Sequence, residues 1–228
     1  MTQVLARREV PCVHAEIKRF AKRRSPVSHP VVVFRKSAVL AVGGYGRAEM
    51  APHSDVDVAF ITPGKRAPWC EQVIETMLYL LWDLGLKVGH SSRTVSDTIR
   101  MAKEDLTIRT ALLESRLVWG EQALYEELRG RFWNEVARGN ERQFLTQKLA
   151  ERDARHKRMG DSRYVVEPNI KEGKGGLRDL QTLYWIGKYL HRVGSARELV
   201  AMGLFSREEY DTFRTAEDFL WAVRCHLH

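Results

Sequence analysis

The stretch that most constrains this chain is "AVLAVGGYGRAEMAPHSDVDVAFIT", from Ala38 to Thr62. An apolar run, Ala38–Val42, is stopped by Gly43-Gly44, which reads as a buried strand feeding a tight turn. After a short gap, "DVDVAFIT" alternates. Asp55, Asp57, Ala59 and Ile61 fall on one face of a strand, and Val56, Val58 and Phe60 fall on the other. Pro63-Gly64 then ends the run.

Two aspartates at i and i+2 on a strand project from the same side, close enough to share metal ions. Phosphoryl and nucleotidyl transfer use that arrangement, because carboxylates supply the hard oxygen ligands that Mg²⁺ or Mn²⁺ prefers. Two such ions about 3.5–4 Å apart hold attacking and leaving oxygens. The upstream glycines let backbone N–H groups approach a triphosphate without side-chain clash, and Arg47 adds positive charge. Gly43, Gly44, Arg47 and Ser54 are therefore the nucleotide-binding candidates, with Asp55 and Asp57 as catalytic metal ligands. Taken alone, an Asp-x-Asp at a strand start is also what a solvated strand end with a turn-capping aspartate looks like.

The rest of the chain places this segment in a fold. "EQVIETMLYLLWDLG" has helical spacing, with Val73, Ile74, Met77, Leu78, Leu81 and Leu84 inward and Gly85 as C-cap. "LKVGHSSRTV" (Leu86–Val95) reads as a further strand. Strand, glycine turn, strand, helix, strand make a small α/β sheet. Everything afterwards reads as helical, with one helical stretch ending at Gly120, a second at Gly139 and a charged third over Glu141–Met159. One interruption, Gly160–Gln181, holds an extended "YVVEPNI" and a second glycine-rich loop, "NIKEGKGGLRDLQ". Lys171, Lys174 and Arg178 surround glycines there, directly before a helix, which suits an anion. A structural turn with Asp179 as cap fits the same residues. His90 is a candidate base or a structural histidine. Trp82, Trp119, Trp133 and Trp185 are assigned to the core.

Strand, Gly-Gly, gap and h-D-h-D together resemble the signature of the polymerase-β-like nucleotidyltransferases, with Gly43, Gly44, Asp55 and Asp57 on the signature positions. Four ordered segments resemble the bacterial PII uridylyltransferase/uridylyl-removing enzymes more narrowly. They are "GGYGRAEMAPHSDVDVAFI", "LLWDLGLKVGHSSRTV", "DLTIRTALLESRLVWG" and "YVVEPNIKEGKGGLRDLQTLYWI". The resemblance runs from about Ala38 to the end. It implies UMP transfer from UTP to a tyrosine of the PII nitrogen-signalling protein. It also implies a third metal carboxylate on the strand after the helix; that strand has no acid, and Asp97 just beyond it is the nearest candidate, or else a helix cap beside Ser96. Related glutamine-synthetase adenylyltransferases carry a similar GGLRD-like loop, which makes the second glycine loop a candidate wall of the nucleotide cleft. Ala48 stands where the family pattern leads one to expect glycine.

The expected architecture is α+β: a small polymerase-β-like sheet with helices, followed by a helical domain incomplete at its C-terminus. The expected division is a basic segment and linker over 1–37, a nucleotidyltransferase domain over 38–120 and a helical domain over 121–228. A short strand over Val31–Phe34 belongs to none of these with a clear role. The last helix is amphipathic up to His228, with Phe213, Phe219, Leu220 and Val223 in one stripe, so the chain reads as the front part of a longer protein. It contains no His-Asp dipeptide, so hydrolytic uridylyl removal is not expected.

Composition fits a globular protein whose basic charge serves either an anionic partner or a solvated surface. The 228 residues are 44% hydrophobic and 29% charged, with net charge +8 and a pI near 9.5. The excess is diffuse apart from Lys18, Arg19, Lys22, Arg23 and Arg24. Cys12, Cys70 and Cys225 are far apart and form no CxxC, which favours a reducing, cytoplasmic setting. No apolar run reaches membrane-span length, and no nucleic-acid-binding motif is present. Two alternatives stay open. One is a transferase of low or no activity that serves as a module binding PII or another protein; the other is a nucleotidyltransferase with a different base or acceptor.

Overall fold

The computed structural model describes residues 37–64, 68–161 and 167–227. The expected strand Val31–Phe34, the basic cluster near the start and the first three residues of "YVVEPNI" lie outside them. Two compact units divide the chain, one ending at Val136 and the other running from Ala137.

The first unit is built on a four-stranded sheet of β1 (Ala38–Ala41), β2 (Val56–Thr62), β3 (Val88–Thr94) and β4 (Arg116–Gly120), in the order β3-β2-β1-β4. β1 runs antiparallel to both β2 and β4, whereas β2 and β3 are parallel. A parallel neighbour requires a crossover. It is supplied by a helix, α2 (Pro68–Asp83), which follows α1 (Gly43–Gly46), a single turn. One face of the sheet presents Val39, Ala41, Val56, Val58 and Phe60 to Val73, Ile74, Met77, Leu78 and Leu81 of α2, forming the core. These are the residues that the two periodicities assign to facing surfaces. Ala38, Leu40, Ala59 and Ile61 on the opposite face are buried as well.

Three expectations are corrected. "RLVWG" is not the end of a helix but strand β4. The helical stretch breaks into α3 (Val95–Glu104) and α4 (Leu106–Leu113) at Asp105, whose carboxylate accepts the N–H groups of Thr107 and Ile108. The second of these helices ends at Leu113 with Glu114 as its C-cap, and the residues that follow, Val118 and Trp119 among them, form the strand beside β1. Trp119 accordingly lies on a strand, not a helix. Trp82 and Leu84 are exposed, at 43% and 56%. They sit at and just past the last turn of α2, where Trp82 packs edge-on against Tyr79 and against His90 at the edge of the sheet.

Helix α5 (Gln122–Arg131) packs on α3 and β1 and donates the Tyr125 hydroxyl to Ser115 O, so it stays with the sheet. The expected division at Gly120 and the observed one after Val136 differ by this helix. A π-helical segment, Phe132–Ala137, leads into the second unit. There α6 (Glu141–Arg158), α7 (Leu177–His191), α8 (Ala196–Ala201) and α9 (Arg207–His226) assemble around stacked Phe144 and Tyr189 and buried Trp185 and Trp221. Ser206 and Glu209 form a reciprocal capping box at the start of α9. In its expected apolar stripe only Phe219 is fully exposed; Phe213, Leu220 and Val223 are half-buried. Among the described residues no helix is long and apolar enough to cross a membrane.

Candidate active site

The glycine turn and the aspartate strand meet as the sequence spacing requires. Val42 N–H donates to Asp57 O at 3.1 Å, joining the end of β1 to β2. The chain then winds through α1, closed by Gly46 N–H to Val42 O and Arg47 N–H to Gly43 O. Gly43 has φ +57°, a left-handed backbone that favours glycine. A Cβ there would stand 2.9 Å from Asp57 Oδ2. Asp55 is the last residue before β2 and is exposed; Asp57 is the second residue of β2 and half-buried; Ser54 beside them is half-buried. The acids therefore open to solvent at the mouth of the strand, on the face away from α2. Their hard oxygen donors fit Mg²⁺ or Mn²⁺, which are commonly held by one or two carboxylates with water and phosphate filling the remaining positions.

Arg47 is engaged by two carboxylates. Its guanidinium donates from Nε to Glu49 at 2.8 Å and from Nη1 to Glu114 at 2.6 Å, with side-chain exposures of 12%, 16% and 2% for Arg47, Glu49 and Glu114. Burial works to lower the Arg47 pKa. The adjacent Glu114 and Glu49 charges and hydrogen bonds outweigh it, and the pKa is raised. Two carboxylates thus face this one cation. From β4, Arg116 donates to the carbonyls of Tyr45 and Gly46 and lies over the Tyr45 ring. The Gly46 Cα itself is packed on Glu114 O, too tightly to admit a Cβ. The turn is held by the start of β4 and the residues before it, a role for Glu114 and Arg116 that no local pattern announces.

Asp97 is not brought to the pair. In the parallel register Asp57 lies opposite Gly89, while Thr62 lies opposite Thr94. At about 3.3 Å per residue, Thr94 is some 16 Å along β3 from Gly89. Asp97 follows Thr94 in the first turn of α3. Its N–H donates to Thr94 Oγ1 and its carboxylate accepts that hydroxyl at 2.8 Å, an N-terminal cap. Among the described residues no three His, Cys, Asp or Glu side chains are grouped to hold a metal ion. His90 is also excluded from the aspartate face. It is the neighbour of Gly89 on an alternating strand, and its ring lies 6.4 Å from Trp82 on the α2 side. Gly89, which the sequence did not single out, is the residue that faces Asp57.

In the second unit the other glycine loop is largely closed on itself. The N–H groups of Lys171 and Glu172 donate to Asn169 Oδ1, Gly173 to Asn169 O, Gly176 to Gly173 O, Leu177 to Ile170 O and Arg178 to Lys171 O. Gly176 is the N-cap of α7, and Asp179 in its first turn accepts the Gly175 N–H at 2.7 Å. The same carboxylate accepts from His156 and pairs with Arg155 at the end of α6. Lys174 pairs with Asp161, and Arg178 pairs with Glu172 while lying over the Trp185 ring. An aspartate thus already sits at this helix start, where an anion would otherwise bind.

Comparison with known proteins bears on both units. The model of the GlnD PII-uridylyltransferase family matches residues 143–228. The chain is 73% identical over 191 residues to the bifunctional uridylyltransferase/uridylyl-removing enzyme of Erythrobacter litoralis, covering 84% of this chain and 21% of that protein. The chain is a relative of the bifunctional uridylyltransferase/uridylyl-removing enzymes. The counterpart from Novosphingobium aromaticivorans is 70% identical over the same shares. That of Cereibacter sphaeroides is 62% identical over 95% of this chain and 23% of its own length. The chain thus spans roughly a fifth of the length of these relatives. Among solved structures, a chain from the crystal structure of a toxin–antitoxin with AMP-PNP covers 62% of this one at 14% identity and a TM-score of 0.33.

Proposed function

We propose that the first unit carries a metal-dependent nucleotidyl-transfer site, which moves UMP from UTP to a tyrosine hydroxyl of the PII protein and releases pyrophosphate. The observation that carries this reading is the Asp55–Asp57 pair at the open mouth of β2, beside a glycine turn that brings backbone close to Asp57. High identity to enzymes named for uridylyl transfer supports the base and the chemistry.

In the reaction the phenolic oxygen gives up its proton to solvent and forms a bond to the α-phosphorus, the α–β bridging bond breaks, and pyrophosphate leaves with the electron pair. A divalent cation bound by Asp55 and Asp57 would neutralise charge on the phosphates. The chain's own residues orient that centre: Asp57 from within the sheet, Asp55 from the flanking loop, and Gly43 and Gly44 by leaving room for the triphosphate backbone. Arg47 and Glu114 hold the turn in shape. In the second unit, Lys174 is engaged by Asp161 and Arg178 by Glu172. One observation favours a second reading, a PII-binding module without chemistry. No third acid joins the pair among the described residues.

A labelling assay separates the two. With Mg²⁺, PII and α-labelled UTP or ATP, label should attach to PII from UTP. Asp57→Asn should abolish attachment while preserving the circular dichroism spectrum, because the change removes one ligand charge at a half-buried position. Unchanged turnover in Asp57→Asn would refute the assignment, and PII binding without labelling by the wild type would favour the module.

A further inference from the structure

We propose that Gly89 is a positioning residue for the site, because its missing side chain is the slot that fixes the Asp57 carboxylate. In-register partners on parallel strands point their side chains the same way, and both normally carry one, as Val56 and Val88 do one residue earlier. At Asp57 and Gly89 the arrangement differs. The carboxylate leans across the sheet, so that a Cβ on Gly89 would approach Asp57 Oδ1 closer than 3.0 Å, nearer than real Cβ atoms come. Among the described residues that Cβ would meet nothing but Asp57 within 4 Å. Gly89 is exposed and its φ lies outside the left-handed range, so neither core packing nor backbone strain requires glycine here.

The other oxygen makes the same demand elsewhere. Oδ2 lies 2.9 Å from where a Gly43 Cβ would stand. One oxygen overlies β3 and the other overlies the glycine turn, so the carboxylate plane spans two backbones that both lack side chains. Any residue at 89 with a Cβ must rotate the carboxylate out of this orientation. Rotating the aspartate costs about what alanine gains in the strand, so the fold persists and the larger damage falls on the site.

The inference rests on the transfer reading for what the carboxylate does, but the slot itself can be tested without it. The first arm is a double-mutant cycle on thermal melting. In an Asp57→Ala background, Gly89→Ala should raise the midpoint by about 1–4 °C, because glycine is the poorer strand residue. With Asp57 present the gain should vanish or reverse. The second arm is kinetic. Gly89→Ala should lower kcat for labelling PII by about a hundredfold while the KM for UTP stays within about twofold, as expected for a displaced reacting centre. Equal melting shifts in both backgrounds would overturn the slot, as would an unchanged kcat in a labelling-competent enzyme. A wild type that transfers no label, yet shows the melting coupling, would overturn the transfer reading alone and leave the slot in place.

Discussion

Replacing Ala48 by glycine should stabilise the protein, an unusual direction for a change in a tight turn next to a candidate active site. Ala48 has φ +59°, in the left-handed region, and its N–H closes the turn onto Tyr45 O. A Cβ in that region costs about 1–2 kcal/mol. Glycine removes that cost but brings greater freedom to the unfolded chain, about 0.5–1 kcal/mol against it. The balance is a gain of roughly 0.5–1 kcal/mol. For a chain of this size that corresponds to a rise of about 1–4 °C in the melting midpoint. Urea unfolding with an unchanged m-value and a higher midpoint is the second readout, since it assigns the effect to the folded backbone and not to residual structure in the unfolded chain. A loss of stability, or no change, would refute the strain argument and would mean that the Ala48 methyl makes a contact that offsets its conformation. The same geometry accounts for the glycine that the family pattern leads one to expect here.

Glu114→Gln removes one of the two charges facing half-buried Arg47 and should cost about 2–3 kcal/mol in urea unfolding, less than the about 3–5 kcal/mol for breaking a buried pair because Glu49 remains; a loss below about 0.5 kcal/mol would release Arg47 from its structural role. The second unit should weaken on acidification. The Ser206 N–H and hydroxyl hold Glu209 below its usual carboxylate range, and Gly194 and Ser195 do the same for Glu198, as Lys174 does for Asp161. Groups with a depressed folded pKa contribute stability that is present above the unfolded value and lost as pH falls through the folded one, so melts followed by circular dichroism should show the midpoint dropping below about pH 4.5. Glu209→Gln should flatten that dependence, and an unaltered acid limb would refute the linkage.

What could be read from the sequence followed the range of the interaction. The glycine turn, the alternation after Asp55 and the α2 core face are local patterns, and apart from Leu84 and the one-residue later start of β2 they stand where those patterns put them. β4 escaped because "RLVWG" follows a helical pattern with no Gly or Pro between them, and the helix before it stops at Leu113 with only Glu114 and Ser115 as the connection. The pairing of Arg47 with Glu114 was out of reach of any local pattern because the two lie 67 positions apart. Gly89 acquires meaning only from the register that sets it against Asp57. The second glycine loop has the composition of an anion cradle, yet Asn169 and Asp179 take up its amides, a fact that spacing alone does not carry.

The parallel pairing of β2 with β3 also fixes when the site can come into being. Asp57 and Gly89 meet only after the intervening chain has closed a crossover through α2, and β1 gains its outer neighbour only when β4 returns from residue 116. Closing such loops costs chain entropy before any pairing rewards it. The helices can wind on their own local contacts, but the carboxylate slot is a property of the finished sheet, and a partly folded chain rich in helix would hold its aspartates with nothing to aim them.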